Sequence, residues 1–107
     1  MVASGGDGYL MYGPYVTLSA GRYRGLTTIE KLGSLKGDLV LDVVSDGGTK
    51  SHARRRLKLS DQITGPLDIP FQIDSATSNI EVRVYSRGAN GFALISLQIK
   101  KLGAAGV

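Results

Sequence analysis

Apolar and polar residues alternate with a period of two along much of the chain. Between Asn79 and Tyr85, every second residue is aliphatic, at Ile80, Val82 and Val84. Successive side chains of a β-strand point to opposite faces of the sheet, so this pattern predicts a strand with one buried face. The same reasoning puts Leu39, Leu41 and Val43 on one face of a strand, and Ala93, Ile95, Leu97 and Ile99 on one face of another.

Seven segments with this character are predicted to be strands, with a short eighth near the start. They are Tyr15 to Leu18, Arg22 to Leu32, Asp38 to Ser45, Lys50 to Leu59, Leu67 to Ile73, Asn79 to Ser86 and Phe92 to Leu102, with the short one at Tyr9 to Tyr12. Frequent glycines separate them and leave little room for a helix of ordinary length. Ser51 to Asp61 is rich in helix formers, but Leu57 and Leu59 alternate, which favours a strand.

The alternation indicates the fold class. Strands with one apolar face are typical of antiparallel sheets, and two such sheets would cover each other's apolar faces. We therefore predict an all-β, antiparallel β-sandwich of jelly-roll type with seven to eight strands. Residues 9–102 would form this single domain, with a flexible N-terminal tail at 1–8 and a C-terminal tail at 103–107.

Composition narrows the possible chemistry. The 107 residues include no cysteine and one histidine, His52, which excludes disulfides, zinc ribbons, cysteine nucleophiles and multi-histidine metal sites within the chain. No acid near His52 in the sequence would orient it as a base, and the acidic residues form no calcium-loop motif. We expect no enzymatic activity, no cofactor and no metal site.

The net charge of +4 raises the question of an acidic partner, because much of it lies at Arg54-Arg55-Arg56 and Lys58. On a strand, Arg54, Arg56 and Lys58 share one face, so the run forms a row and not a helical basic stripe. We interpret this row as solvated or paired with acids, and expect no nucleic-acid partner. The sequence has no apolar stretch long enough for a membrane-spanning helix and no signal-peptide pattern. We therefore expect no membrane insertion and, by default, a cytoplasmic location.

Charged and aromatic residues alternate with the apolar positions on several strands. Arg22 and Arg24 share a face, Asp42 interrupts an apolar strand, and Arg83 and Tyr85 alternate with valines. Such a face can hydrogen-bond sugar hydroxyls and stack tyrosine rings on pyranoses. A cross-strand ladder of salt bridges, which needs no ligand, explains the same pattern.

Four stretches carry a family resemblance and span most of the chain. They are YGPYVTLSAGRYR at 12–24, LVLDVV at 39–44, IEVRV at 80–84 and LISLQI at 94–99. Together they resemble the accessory β-sandwich modules found beside bacterial glycosyltransferases and are more distantly similar to carbohydrate-binding jelly rolls. The resemblance implies a non-catalytic module.

Two functions remain open. The first is glycan recognition, with ligand contacts expected from Tyr12, Tyr15, Arg24, Asp42, Arg83 and Tyr85. Because the chain has no tryptophan, the rings on which sugars stack would have to be those of tyrosines, namely Tyr9, Tyr12, Tyr15 and Tyr85. The second is a structural role, in which the domain forms a homo-oligomer or positions a fused enzyme domain. Glycan recognition predicts an exposed cluster of tyrosine and arginine, whereas the structural role predicts buried tyrosines and an exposed apolar patch.

Overall fold

A computed structural model describes residues 2–60 and 66–103. The strands are β1 (Val2–Ser4), β2 (Gly8–Leu18), β3 (Gly21–Ser45), β4 (Lys50–Lys58), β5 (Leu67–Ile73) and β6 (Thr77–Gly103), with a short 3-10 turn at Asp46–Gly48. Every strand pair in the described residues is antiparallel. The predicted all-β, antiparallel class is confirmed.

Two long strands, β3 and β6, organise the sheet. They pair with each other along most of their lengths, while β1 and β2 pair with β6, and β4 and β5 pair with β3. Both long strands bend, which divides the sheet into two halves. The four-stranded half contains β2, residues 77–90 of β6, residues 36–45 of β3, and β4. The three-stranded half contains β5, residues 21–31 of β3 and residues 92–103 of β6, and β1 pairs with residues 90–93 of β6 where the two halves meet.

The sheet is curled so that the inner faces of its two halves meet. A Cβ atom added to Gly25 in the three-stranded half would lie 3.1 Å from a methyl carbon of Ile69 and 3.2 Å from one of Val82 in the four-stranded half. Tyr23 stacks on Phe71 beside this contact, with ring centroids 5.5 Å apart. The absence of a side chain at position 25 therefore lets the halves approach closely.

The core lies between these inner faces. Buried side chains from both halves form one cluster that includes Leu39, Leu41, Val43, Ile69, Ile73, Ile80, Val82, Val84 and Phe92. The predicted inward faces of 38–44 and 79–85 are confirmed by this burial. At about 25 cal/mol per Å² of apolar surface removed from water, this cluster is the main source of folding free energy.

The finer prediction, a jelly-roll sandwich of seven to eight strands, is not confirmed, because the described strands number six and belong to one hydrogen-bonded sheet. Three neighbouring pairs of predicted strands run on as β2, β3 and β6. Strand structure in Ser51 to Asp61 is confirmed as far as Lys58. Within the predicted tails, Val2–Ser4 pairs with β6, and Gly103 ends β6. Positions 1, 61–65 and 104–107 lie outside the described residues.

The predicted inward face of the last strand is wrong at Ala93 and Ile95, because Phe92 and Leu94 enter the core in their place. Pairing of β6 with β3 passes from Ser96 opposite Thr28 to Leu94 opposite Ile29, so Ile95 has no partner and forms a bulge. A bulge reverses which side chains point inward. Ile95 is consequently 55% exposed, and Leu94 enters the core at 3% exposed.

Strand β2 forms an irregular edge of the four-stranded half. Its pairing with β6 shifts register three times, after Tyr9, Pro14 and Val16. In the described part of the chain β2 pairs with β6 alone. Pro14 lies in this strand, at the kind of edge position where a missing backbone donor is tolerated.

Two glycines permit the bend in the long strands. Register jumps from Lys31 to Lys36 in β3, and the backbones of β3 and β6 approach closely there. Gly37 has φ of +84° and Gly91 has φ of +95°, a region that other residues rarely adopt. A Cβ atom at Gly37 would overlap the carbonyl oxygen of Gly88, and one at Gly91 would overlap that of Ser34.

We predict that Gly37→Ala and Gly91→Ala each lower the free energy of unfolding by about 3 kcal/mol, because each combines left-handed strain with overlap against backbone. Gly33→Ala is the control from the same bend, since a Cβ atom there would meet no atom within 4 Å. Urea unfolding followed by circular dichroism measures the difference. Equal stability of all three variants would contradict the claim that Gly37 and Gly91 are required for the bend.

Candidate functional site

Two rows of side chains cross the outer face of the four-stranded half. In one row Tyr12 lies opposite Arg83, Arg83 opposite Asp42, and Asp42 opposite Arg54. Directly opposed residues of antiparallel strands share a face, so this row presents one aromatic and three charged side chains, each from a different strand.

The neighbouring row is more apolar. Tyr9 lies opposite Tyr85, Tyr85 opposite Val40, and Val40 opposite Arg56. Tyr9 and Tyr12 both belong to the outer rows although they are three residues apart, because a register shift falls between them. We call the eight residues of the two rows the tyrosine–arginine face.

A bidentate ion pair lies at the centre of this face. Nε of Arg83 donates to Oδ1 of Asp42 at 2.9 Å, and Nη2 donates to Oδ2 at 2.5 Å. The side chains are only 21% and 17% exposed. The hydrogen bonds to Asp42 raise the pKa of Arg83, while burial opposes that rise. The guanidinium plane is therefore fixed in orientation and remains charged.

Tyr9 packs on this ion pair, and Tyr85 packs against Tyr9. The ring of Tyr9 meets that of Tyr85 edge to face, with centroids 5.0 Å apart and planes at 79°. The guanidinium carbon of Arg83 lies 5.1 Å from the centroid of Tyr9. Tyr9 is still 48% exposed. An aromatic ring is thus held in one position while much of it faces solvent.

A shallow depression of about 370 Å³ lies over the face. Its lining consists of Tyr9, Val40, Asp42, Val44, Ser51, Arg54, Arg83, Tyr85 and Arg87. Val40 and Val44 are buried although they point away from the core. The floor is therefore apolar, and the walls carry hydrogen-bonding groups. A second depression, of about 600 Å³, shares Tyr85 and Arg87 with the first, which lengthens the concave surface.

Tyr15 extends the face along the edge strand. Its backbone has φ of +63°, an outlier for a bulky residue that costs about 1–2 kcal/mol. The pKa of Tyr15 is raised above its ordinary value, chiefly by hydrogen bonding of its hydroxyl to the Glu81 carboxylate. The ring is 57% exposed, so burial does not account for this conformation. Strain of this kind clusters at functional sites.

The structure brings most of the sequence-predicted site residues to one face. Asp42, Arg83 and Tyr85 line the same depression, and Tyr12 lies in the same row as Arg83. Tyr15 is connected to that face by Glu81, which lies next to Arg83 in the alternation of β6.

Arg24 lies elsewhere. It belongs to the three-stranded half, where its Nε is 3.2 Å from a carboxylate oxygen of Asp68. Asp68 also accepts hydrogen bonds from Arg55. The structure therefore separates Arg24 from the other five candidates, because it lies in the half of β3 before the bend.

Sequence reasoning missed Arg54 and Arg87 as lining residues. The arginine row that the sequence predicts to be solvated or paired with acids contains Arg54, and in that row Arg56 does pair with an acid, Asp38, at 2.6 Å. Only the register of the strands would have identified Arg54, because it places Asp42 between Arg83 and Arg54 on adjacent strands. Registers between distant segments cannot be read from alternation alone.

The arrangement around His52 does not suggest catalysis. Nε2 of His52 lies 2.8 Å from the hydroxyl oxygen of Ser45, the spacing of a nucleophile and its base. Ser45, however, is only 2% exposed, so a substrate could not reach its hydroxyl. We interpret the pair as a hydrogen bond that satisfies two polar groups next to the turn after β3.

The described residues contain neither a candidate metal centre nor a candidate membrane-spanning helix. In 2–60 and 66–103, no three side chains of His, Cys, Asp or Glu lie close enough to hold a metal ion. Within those same ranges, no helix has the length and apolar character needed to cross a membrane.

No protein-family model and no curated protein sequence matches the chain. Among solved structures, the C-terminal domain of EclA, a sugar-binding protein, has a similar fold with a TM-score of 0.50 and 20% sequence identity. The likeness covers 88% of this chain and 68% of that one. At this identity it shows the fold alone, and it gives no support for an association with glycosyltransferases.

We predict that Asp42→Asn lowers the free energy of unfolding by about 2 kcal/mol, because it leaves the partly buried Arg83 without its carboxylate. Asp38→Asn is the matched control, since its partner Arg56 is 64% exposed, and it should cost less than about 1 kcal/mol. In urea unfolding, the double variant Asp42→Asn/Arg83→Gln should lose less than the sum of its single changes. A cost for Asp42→Asn no greater than that for Asp38→Asn would contradict this account.

We predict that Tyr15 ionises above its ordinary pKa of 10.0, because the hydrogen bond to Glu81 favours the neutral phenol. The pKa is raised in the folded state, so the stabilisation is complete below pH 10 and is lost as the pH rises through the raised pKa. Tyrosinate absorbance, compared between the native protein and Tyr15→Phe, isolates this titration. Glu81→Gln should return it towards 10.0, and an unchanged midpoint would count against the hydrogen bond.

Proposed function

We propose that the tyrosine–arginine face binds a glycan and catalyses no reaction on it. The observation that carries this proposal is the bidentate Asp42–Arg83 pair, which lies under Tyr9 and beside Tyr12 on an exposed sheet face. The pair offers oriented donors and acceptors, and the rings offer apolar planes. A sugar presents hydroxyls around its edge and C–H groups on its faces, and so requires both kinds of contact.

Preorganisation supports this proposal. The ring of Tyr9 is held by Tyr85 and Arg83, and Arg83 is held by Asp42, before any ligand arrives. Binding would immobilise few additional side chains, and each immobilised side chain would otherwise cost about 0.5–1.5 kcal/mol. A small, shallow surface can therefore reach useful affinity.

The exposure of the tyrosines favours glycan recognition over the structural role. Tyr9, Tyr12 and Tyr15 are 48%, 61% and 57% exposed, whereas a scaffold should bury them. Among the described residues, the large exposed aliphatic side chains are Leu32 at the bend, Ile95 at the bulge and Leu102 near the end of β6. Their separate positions do not suggest a single apolar patch.

Two likenesses add support of a weaker kind. The similar fold of the C-terminal domain of EclA belongs to a sugar-binding protein. The sequence resemblance to accessory modules adds the proposal that residues 9–102 serve as one module of a larger protein. In that case the domain would direct an enzyme to its substrate, and a homo-oligomer would multiply weak contacts with the sugar.

A glycan array followed by calorimetry on its best ligand tests the proposal. Tyr12→Ala should weaken binding at least about tenfold, since stacking on an exposed ring contributes to affinity and little to stability. Leu32→Ala is the matched control, because Leu32 is similarly exposed, at 58%, but lies at the bend. Its affinity should equal that of the native protein.

Two results would count against glycan binding. The first is an array with no signal above background while circular dichroism shows a folded protein. The second is equal binding by Tyr12→Ala and the native protein. If light scattering also showed a concentration-dependent dimer, the structural role would take its place.

A further inference from the structure

Arg54 occupies an unusual electrostatic position. It lies directly opposite Asp42, but both oxygens of Asp42 accept hydrogen bonds from Arg83 on the other side. Arg54 itself is exposed, and no described residue forms an ion pair with it. The row from Tyr12 to Arg54 therefore ends in an unneutralised positive charge.

Arg87 is a second free cation on the same depression. No described residue forms an ion pair with it, and the two acids beside it in the second depression have other hydrogen-bond partners. Asp38 pairs with Arg56, and Asp7 accepts a hydrogen bond from the backbone N–H of Gly88. The depression thus contains three arginines and one aspartate, Asp42, which is bound to one of them.

From these observations we propose that the ligand of the tyrosine–arginine face is an acidic oligosaccharide, and that Arg54 binds its carboxylate or sulfate group. This inference rests on the proposed glycan binding and specifies the class of glycan. A free guanidinium beside a neutralised pair attracts an anion without competition from the protein's own acids.

The geometry also indicates a ligand longer than one sugar. Neighbouring strands are about 4.8 Å apart, so Tyr12 on β2 and Arg54 on β4 are separated by about 14 Å across three strand spacings. The two depressions adjoin, since Tyr85 and Arg87 line both of them. A chain of sugars can stack on the tyrosine at one end and present its acid at the other.

A nucleic acid is also anionic, but the face suits it less well. Asp42 lies in the middle of the row, and Glu81 lies next to Arg83 on β6, so carboxylates would meet a phosphate backbone along its path. A nucleic-acid site instead needs several unopposed cations in a line. A ligand with one acid group per few sugars matches the two separate arginines in the described lining that form no ion pair, Arg54 on β4 and Arg87 on β6.

The test uses an array of matched pairs, each a neutral oligosaccharide and its counterpart carrying one uronate carboxylate, one sialic acid or one sulfate. The full chain should bind the acidic member of at least one pair more tightly. In calorimetry at low salt, Arg54→Gln should weaken binding of the acidic member about five- to tenfold and weaken binding of the neutral member less, so that the preference for the acidic member shrinks. The preference should shrink as salt is raised.

Arg22→Gln is the matched control, because Arg22 is an exposed arginine in the three-stranded half and lies outside the face. It removes the same charge and should leave the acidic preference intact. Arg54→Lys should keep part of the preference, since the charge remains without the planar fork. Melting curves confirm that the variants are folded.

Each other outcome overturns the inference in a distinguishable way. Tighter or equal binding of the neutral members would refute acidic specificity and leave glycan binding intact. An acidic preference that Arg54→Gln does not change would refute the role of Arg54. No binding by any member would refute glycan binding as well. Binding of an oligothymidylate in place of every sugar would identify the face as a nucleic-acid site.

Discussion

The antiparallel ladder between β3 and β6 is the interaction on which the rest of the structure depends. Every other strand pairs with one of these two, so neither half of the sheet could form without them. The same ladder sets Asp42 opposite Arg83, so the ion pair of the candidate site forms because of this register. Its contacts join segments far apart in the chain, and such contacts form only after a large loss of chain entropy.

Local pattern predicted the strands and their inner faces, because alternation at Ile80, Val82 and Val84 follows directly from the geometry of a pleated strand. It could not predict that the glycine-rich stretch 33–37 continues a strand. Glycine there serves a bulged bend between two paired backbones, and from sequence alone it has the same signature as a turn. The single curled sheet therefore depends on pairing information that no local window contains.

The candidate site shows the same division. Asp42 stands out in the sequence because a carboxylate interrupts an aliphatic strand, and Arg83 and Tyr85 stand out because they alternate with core valines. Their convergence with Tyr9 and Arg54 is a matter of register across four strands. The sequence pattern around Arg24 makes it an equally good candidate, but the bend in β3 places it in the other half of the sheet.

The irregular pairing of β2 has a consequence for how the molecule meets its own copies. A straight, regular edge strand exposes an evenly spaced series of backbone donors and acceptors onto which another chain can add. Three register shifts and Pro14 interrupt that series along β2, which makes it a poor template for intermolecular sheet extension. Because Tyr9, Tyr12 and Tyr15 all project from this strand, the irregularity protects a tyrosine-rich edge from aggregation while it stays open to solvent.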